Sequence, residues 1–196
     1  MRVIAGTFRS RPLLAPPGMD TRPTADRLRE TLFNVLTNGA VNRVEGTAFL
    51  DLYAGSGAVG IEALSRGAAS VTFVEQGAAA LGILKKNLDG LGIRGAAARV
   101  EKRSVARFLR DAGKSSVGQV DAYGAVFLDP PYDLASEYAQ ALELLGGECA
   151  ALLAPGALVV AEHRRKQALA ENYGSLTRVR LLEQGDAALS FYEVAP

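Results

Sequence analysis

Asp129-Pro130-Pro131-Tyr132 directly follows the apolar run Val126-Phe127-Leu128. The apolar residues read as the end of a buried strand, which puts the tetrapeptide at that strand's C-terminal edge. Two consecutive prolines have fixed φ and no N–H donors, so the loop is stiff and offers bare carbonyl acceptors. Such a loop suits capture of an exocyclic amino group. The Asp129 carboxylate and the Pro130 carbonyl can each accept a hydrogen from an –NH₂. The nitrogen lone pair, otherwise delocalised into a ring, is then aimed at an electrophile. Tyr132 offers a ring on which an extruded base can stack. The gain is positioning and electrostatics, with no covalent intermediate. In an arbitrary chain the same four residues would read as a turn. Their place here, downstream of a glycine turn and an acid-ended strand, gives them the catalytic reading.

The glycine turn is Phe49-Leu50-Asp51-Leu52-Tyr53-Ala54-Gly55-Ser56-Gly57-Ala58-Val59-Gly60. A strand ends near Asp51, a tight turn follows and a helix opens. Gly55 and Gly57 allow a sharp turn and close approach of backbone to a ligand. Asp51 can orient both. Glu75 ends the next predicted strand, 18 residues past Gly57. A carboxylate there can accept from a ribose diol, which both S-adenosylmethionine and a nicotinamide dinucleotide present. Gly-x-Gly-x-x-Gly keeps the dinucleotide reading open. An acid before the glycines, where dinucleotide folds carry an apolar residue, leans toward S-adenosylmethionine.

The elements that must position these residues alternate. Strands are predicted at Ala48–Leu52, Ser70–Val74, Ala97–Lys102, Asp121–Leu128 and Ala157–Glu162. Helices are predicted at Ala58–Arg66, Ala78–Leu91, Val105–Asp111 and Leu134–Leu145. This alternation specifies an α/β fold with a parallel sheet covered by helices on both faces. Leu176–Glu183 and Leu189–Val194, joined by Gln184-Gly185-Asp186, read as a hairpin. Before the first strand, a helix capped by Thr24 carries Leu28, Leu32, Val35 and Leu36 on one stripe. Residues 1–23, broken by Gly6, Pro12, Pro16-Pro17-Gly18 and Pro23, read as a basic arm or short β-hairpin, and residues 24–196 as the catalytic domain.

Composition narrows the classes. The chain has 196 residues, 48% apolar and 22% charged, the proportions of one globular domain. One cysteine, Cys149, and one histidine, His163, leave no disulfide, no multi-thiol metal site and little for a Ser–His or Cys–His scheme. Cys149 reads as a core residue, and His163 as structural or solvent-facing. No segment approaches the roughly 18–20 apolar residues of a membrane span, and no signal peptide opens the chain; a cytoplasmic monomer is expected. The net charge of +1 is uneven. Residues 1–29 hold six arginines and two acids, +4, leaving −3 for the remainder. A basic arm on a slightly acidic body points to an anionic macromolecule engaged at one end, with Arg2, Arg9, Arg11 and Arg22 as phosphate contacts. Arg27 joins them with less force, because it and Arg29 can pair instead with Asp26 or Glu30.

Arg22-Pro23-Thr24-Ala25-Asp26-Arg27-Leu28-Arg29-Glu30-Thr31-Leu32-Phe33-Asn34, the Asp51–Gly60 turn and Asp129–Tyr132, in this order, resemble the bacterial 16S rRNA guanine-N2 methyltransferase family. Arg2-Val3-Ile4-Ala5-Gly6 and Arg9-Ser10-Arg11 are similar to that family's N-terminal arm. The tetrapeptide is shared by many amino-methyltransferases, and the Arg-Pro-Thr block is the specific part. The resemblance spans essentially the whole chain. It implies a Rossmann-like, seven-stranded class I methyltransferase fold and S-adenosylmethionine as methyl donor. It implies N2 of a guanine in 16S rRNA, free or in an assembling 30S subunit, as acceptor. It further implies cofactor contacts from Asp51, Tyr53, Ala54, Gly55, Gly57, Glu75 and Gln76, and base capture by Asp129, Pro130, Pro131 and Tyr132. One departure stands out. Where such enzymes often carry an acid near the adenine, Lys102-Arg103-Ser104 follows the third strand, and Ser104 could still accept or donate one hydrogen bond there.

Two rivals are weaker. A DNA adenine or cytosine amino-methyltransferase needs a sizeable region for reading duplex sequence, and only about 45 residues precede the core. RNA loops already present splayed bases. A nicotinamide-dependent oxidoreductase leaves Asp129–Tyr132 without a role.

Overall fold

Short runs rich in Val, Leu and Phe favour strands buried on both faces, and in the computed structural model they become the centre of one sheet. The structure describes residues 1–15, 23–39, 41–114, 122–131 and 135–194. The strands are β1 (Ala48–Leu52), β2 (Ser70–Val74), β3 (Ala98–Glu101), β4 (Tyr123–Leu128), β5 (Leu153–Arg164), β6 (Asn172–Tyr173), β7 (Leu176–Gln184) and β8 (Ala187–Val194). The helices are α1 (Pro23–Thr37), α2 (Ala58–Ser65), α3 (Ala78–Gly90), α4 (Val105–Lys114) and α5 (Ala135–Gly146). Sheet order is β3-β2-β1-β4-β5-β8-β7-β6. The first five strands run parallel, whereas β8 and β7 close the sheet antiparallel.

The fold class is as the sequence implied, with corrections at the margins. The described residues give eight strands rather than seven: Asn172–Tyr173 adds a two-residue edge strand beside β7, too short to leave a periodic signal. β5 runs past its predicted bounds at both ends. Its N-terminal extension crosses Pro155-Gly156, where the β4 register is irregular, so no alternation marked it. α1 begins at Pro23, ahead of the expected cap at Thr24; proline at a first helical position is pre-set for it.

Alternation along the strands sorts their side chains onto two cores. Leu50, Leu52, Val74, Val126, Leu128, Val159 and Ala161 pack with α4 and α5. Phe49, Phe73, Phe127 and Val160 pack with α1, α2 and α3. Cys149 is a buried core residue, its Sγ 3.3 Å from the Leu109 carbonyl oxygen. His163 is structural and 2% exposed, with Nε2 2.9 Å from Ser190 Oγ and Nδ1 2.9 Å from the Arg164 carbonyl oxygen.

Residues 1–15 of the arm fold back on themselves and pack against the domain. Arg2 and Pro12 form an antiparallel bridge, and Val3 and Leu13 are buried in the α1–α3 core. Burying each contributes about 1.5–3 kcal/mol. The N–H groups of Ile4 and Ala5 donate to the fully buried Glu62 carboxylate on α2, at 2.7 and 3.0 Å. Thr7 N–H donates to the Ser65 carbonyl at 2.8 Å, and Phe8 N–H to Ser65 Oγ at 2.9 Å.

Candidate active site

Four carboxylates share one face of the sheet at its C-terminal edge. Asp51, Glu75, Asp129 and Glu162 each come two residues after Phe49, Phe73, Phe127 and Val160, the residues of the α1–α3 core. Side chains two apart point the same way. Asp51 pairs with Phe73 and with Phe127, and Phe127 with Val160. Glu75, Asp129 and Glu162 therefore stand one pleat beyond Asp51. In sheet order the row is Glu75, Asp51, Asp129, Glu162.

The β1–β2 end of the row is tied to backbone. Asp51 is 2% exposed and accepts from the Gly60 N–H at 2.8 Å, which fixes α2 against the end of β1. Burial pushes the Asp51 carboxyl up, the Gly60 N–H opposes this, and Asp129 and Glu75 add to the rise. Glu75 accepts from the Gly55 N–H at 2.9 Å and the Gly77 N–H at 2.6 Å. Each of its oxygens keeps a lone pair. The two turn glycines differ in what requires them. Gly57 has φ +80°, and a Cβ there would fall 2.3 Å from Leu84 Cδ1, so both the backbone conformation and the Leu84 side chain disfavour anything larger. Gly55 has φ +57°, and a Cβ would meet only the Tyr53 carbonyl oxygen, at 3.9 Å. That side of the turn is open to a ligand.

The β4–β5 end is different. Asp129 is half-buried, Pro130 buried and Pro131 exposed. Burial pushes the Asp129 carboxyl up to about 7. Burial, and then the charge of Asp129, push Glu162 up to about 8, with Arg29 opposing. Arg29 reaches this corner from α1 and is 7% exposed. Its Nη2 donates to Asp26 Oδ1 at 2.9 Å and to the Arg2 carbonyl at 2.8 Å. Its buried Nε has no acceptor among the described residues.

The remaining sequence candidates scatter. Ala54 is buried, and its N–H donates to the Val74 carbonyl at 3.0 Å. Tyr53 has φ +59°, which swings it from the sheet so that its hydroxyl donates to Glu137 on α5 at 2.6 Å. Gln76 and Ser104 are exposed; the Ser104 carbonyl accepts from Phe108 N–H at 3.0 Å at the start of α4. Arg2, Arg9, Arg11 and Arg27 are exposed, and Arg11 Nη2 donates to the Gly90 carbonyl at 3.0 Å. Tyr132 and Arg22 lie outside the described residues.

Sequence reasoning overlooked two features of this site. Glu162 ended a predicted strand just as Asp51 and Glu75 do, and an acid two residues past a core residue was the available signal. Asn87 left none. It is 4% exposed, donates to the Ser56 carbonyl at 2.9 Å and the Leu14 carbonyl at 3.1 Å, and accepts from Leu14 N–H at 2.8 Å. It thereby ties the glycine turn to the arm.

Residues 1–193 match a family model described as "Conserved hypothetical protein 95". A Bacillus subtilis (strain 168) protein named "Putative rRNA methyltransferase YlbH" is 37% identical over 193 residues, 98% of each chain. "Ribosomal RNA small subunit methyltransferase D" of Escherichia coli (strain K12) is 40% identical over 132 residues, 67% of this chain and 60% of that protein. The solved structure "Putative methyltransferase yhhF from Escherichia coli" superimposes with a TM-score of 0.79 at 31% identity, covering 100% of this chain and 98% of that one. The fold is that of the class I methyltransferases.

Proposed function

The chain belongs to the conserved hypothetical protein 95 family, and on that premise we propose that it methylates the exocyclic N2 of a guanine in small-subunit (16S) rRNA, free or in an assembling subunit, from S-adenosylmethionine. The observation that carries this reading is the carboxylate row. Glu75 and the open side of Gly55 stand at one end, and Asp129, followed by Pro130-Pro131, stands two strands away on the same face.

The residues present fit the cofactor. Glu75 keeps a free lone pair on each oxygen for the two ribose hydroxyls, and Gly55 leaves room where a side chain would stand. Asp51 holds the turn through Gly60, and Tyr53, Ala54, Gly57, Gln76 and Ser104 would complete the surround. Bound S-adenosylmethionine supplies an electrophilic methyl group; the chain's own residues do the rest. Asp129 and the Pro130 carbonyl accept from the guanine amino group and turn its lone pair toward the methyl. Tyr132 stacks the base. When the N–C bond forms and the methyl–sulfur bond breaks, S-adenosylhomocysteine would be left; the amino nitrogen sheds a proton, and Asp129, raised to about 7, is matched to take it near neutral pH.

We further propose that residues 1–23 and 24–196 divide as arm and catalytic domain, and that Arg2, Arg9, Arg11, Arg22 and Arg27 hold RNA phosphates. Among the described residues no helix is long and apolar enough to cross a membrane; action as a cytoplasmic monomer is part of the same reading. The test is incubation with labelled S-adenosylmethionine and rRNA from a strain lacking the enzyme, then nucleoside analysis. N2-methylguanosine is expected. Label on an adenine or cytosine amino group, or none in rRNA, would overturn it.

A further inference from the structure

We infer that Glu162 selects the base, its carboxylate accepting from N1–H of the guanine while Asp129 accepts from N2; this rests on the guanine-N2 reading above. The placement follows from the ladder. Leu128, the last residue of β4, pairs with Ala161 on β5, so Asp129, just past the end of β4, and Glu162 are the residues that follow. They face the same side, about 4.8 Å apart at the backbone. Two adjacent acceptors are what the Watson–Crick edge of guanine requires, because N1–H and the N2 amino group are neighbouring donors. Adenine and cytosine present an acceptor nitrogen beside their amino groups. A carboxylate opposite that nitrogen would set two lone pairs against each other in a half-buried site. Such a clash rejects the wrong base in addition to the hydrogen bond that base fails to make.

Arg29 supplies an independent observation. It is 7% exposed, its charge acts on Glu162, and its buried Nε lacks an acceptor among the described residues. A buried donor without a partner is costly and is rarely left so. The third group on the guanine edge, O6, is an acceptor. Arg29 is thus a positioning residue: its charge favours the carboxylate form of Glu162, opposing burial and the neighbouring Asp129. Catalytic residues elsewhere in the row do not need such a cation: Asp51 and Glu75 are held by backbone N–H groups.

The experiment uses RNA with guanine or 2-aminopurine at the position the wild-type enzyme methylates. 2-Aminopurine keeps the amino group but presents a lone pair at N1. The wild type is expected to prefer guanine. Glu162→Gln places an amide N–H opposite N1 and should lower the guanine over 2-aminopurine ratio of kcat/KM roughly 10- to 100-fold, the span of a hydrogen bond to a charged group. Affinity for S-adenosylhomocysteine, measured by calorimetry, should not move. An unchanged ratio in the variant would overturn the role of Glu162 while leaving the guanine-N2 reading intact. Equal use of both RNAs by the wild type would overturn it even if Glu162→Gln failed to fold. A wild-type product other than N2-methylguanosine would overturn the function reading itself.

Discussion

The two ends of the carboxylate row are built on opposite plans. At β1–β2 each carboxylate already accepts from backbone: Asp51 from Gly60, Glu75 from Gly55 and Gly77. At β4–β5 Asp129 and Glu162 are both pushed toward neutral pH by burial, and the nearby Arg29 carries a donor unpartnered among the described residues. A site that holds a ligand through hydroxyl groups is served by fixed acceptors. A site that handles a proton is served by carboxylates whose charge is poorly solvated. The contrast fits the proposed division, with binding at the first end and chemistry at the second.

The largest effect should come from breaking the second end. Asp129→Ala is expected to lower the single-turnover rate on the order of 10²–10³-fold, as losing one preorganised charge-stabilising group does, with cofactor affinity little changed. A near-normal rate would remove Asp129 from the chemistry and erase the contrast. At the first end, Glu75→Ala should weaken S-adenosylhomocysteine binding by about 1.5–3 kcal/mol, read by calorimetry on the folded variant. Unchanged affinity would take Glu75 out of the site.

The contrast sharpens with pH. A carboxyl raised to about 7 is protonated below that pH and cannot then accept from an amino group. The single-turnover rate should therefore rise about tenfold per unit toward pH 7 and level above it, whereas cofactor affinity stays flat. Because Asp129 and Glu162 interact, the apparent values belong to the pair. A flat rate profile would mean that Asp129 is ionised throughout.

The smallest effect concerns the arm. Arg9 sits on the turn that Thr7 and Phe8 pin to Ser65, at the far end of the eight-residue α2 from the glycine turn, about 12 Å along a helix of that length. Replacing Arg9 and Arg11 together should flatten the salt dependence of RNA binding by roughly 0.7–0.9 in log–log slope per lost contact. A wild-type slope would give the phosphate contacts to Arg164-Arg165-Lys166, exposed just past Glu162.

Sequence by itself determined the alternating elements, the glycine turn, the row's first three acids and the hairpin that closes the sheet. Each is written in local order: period-two apolar runs, glycines at a strand–helix turn, an acid after a core residue. The tertiary structure alone decided which glycine has open space beside it, since a Cβ at Gly57 would meet Leu84, far along the chain, whereas one at Gly55 would meet only the Tyr53 carbonyl oxygen. It also decided that the arm is part of the core, because Glu62 reads as one more surface helical acid until Ile4 and Ala5 are seen to bury it. Glu162 belongs to both accounts. Its strand was legible, but its place beside Asp129 and its nearness to Arg29 depend on register and on a helix from the other end of the chain. Long-range packing sets those contacts, and no local pattern in the sequence encodes them.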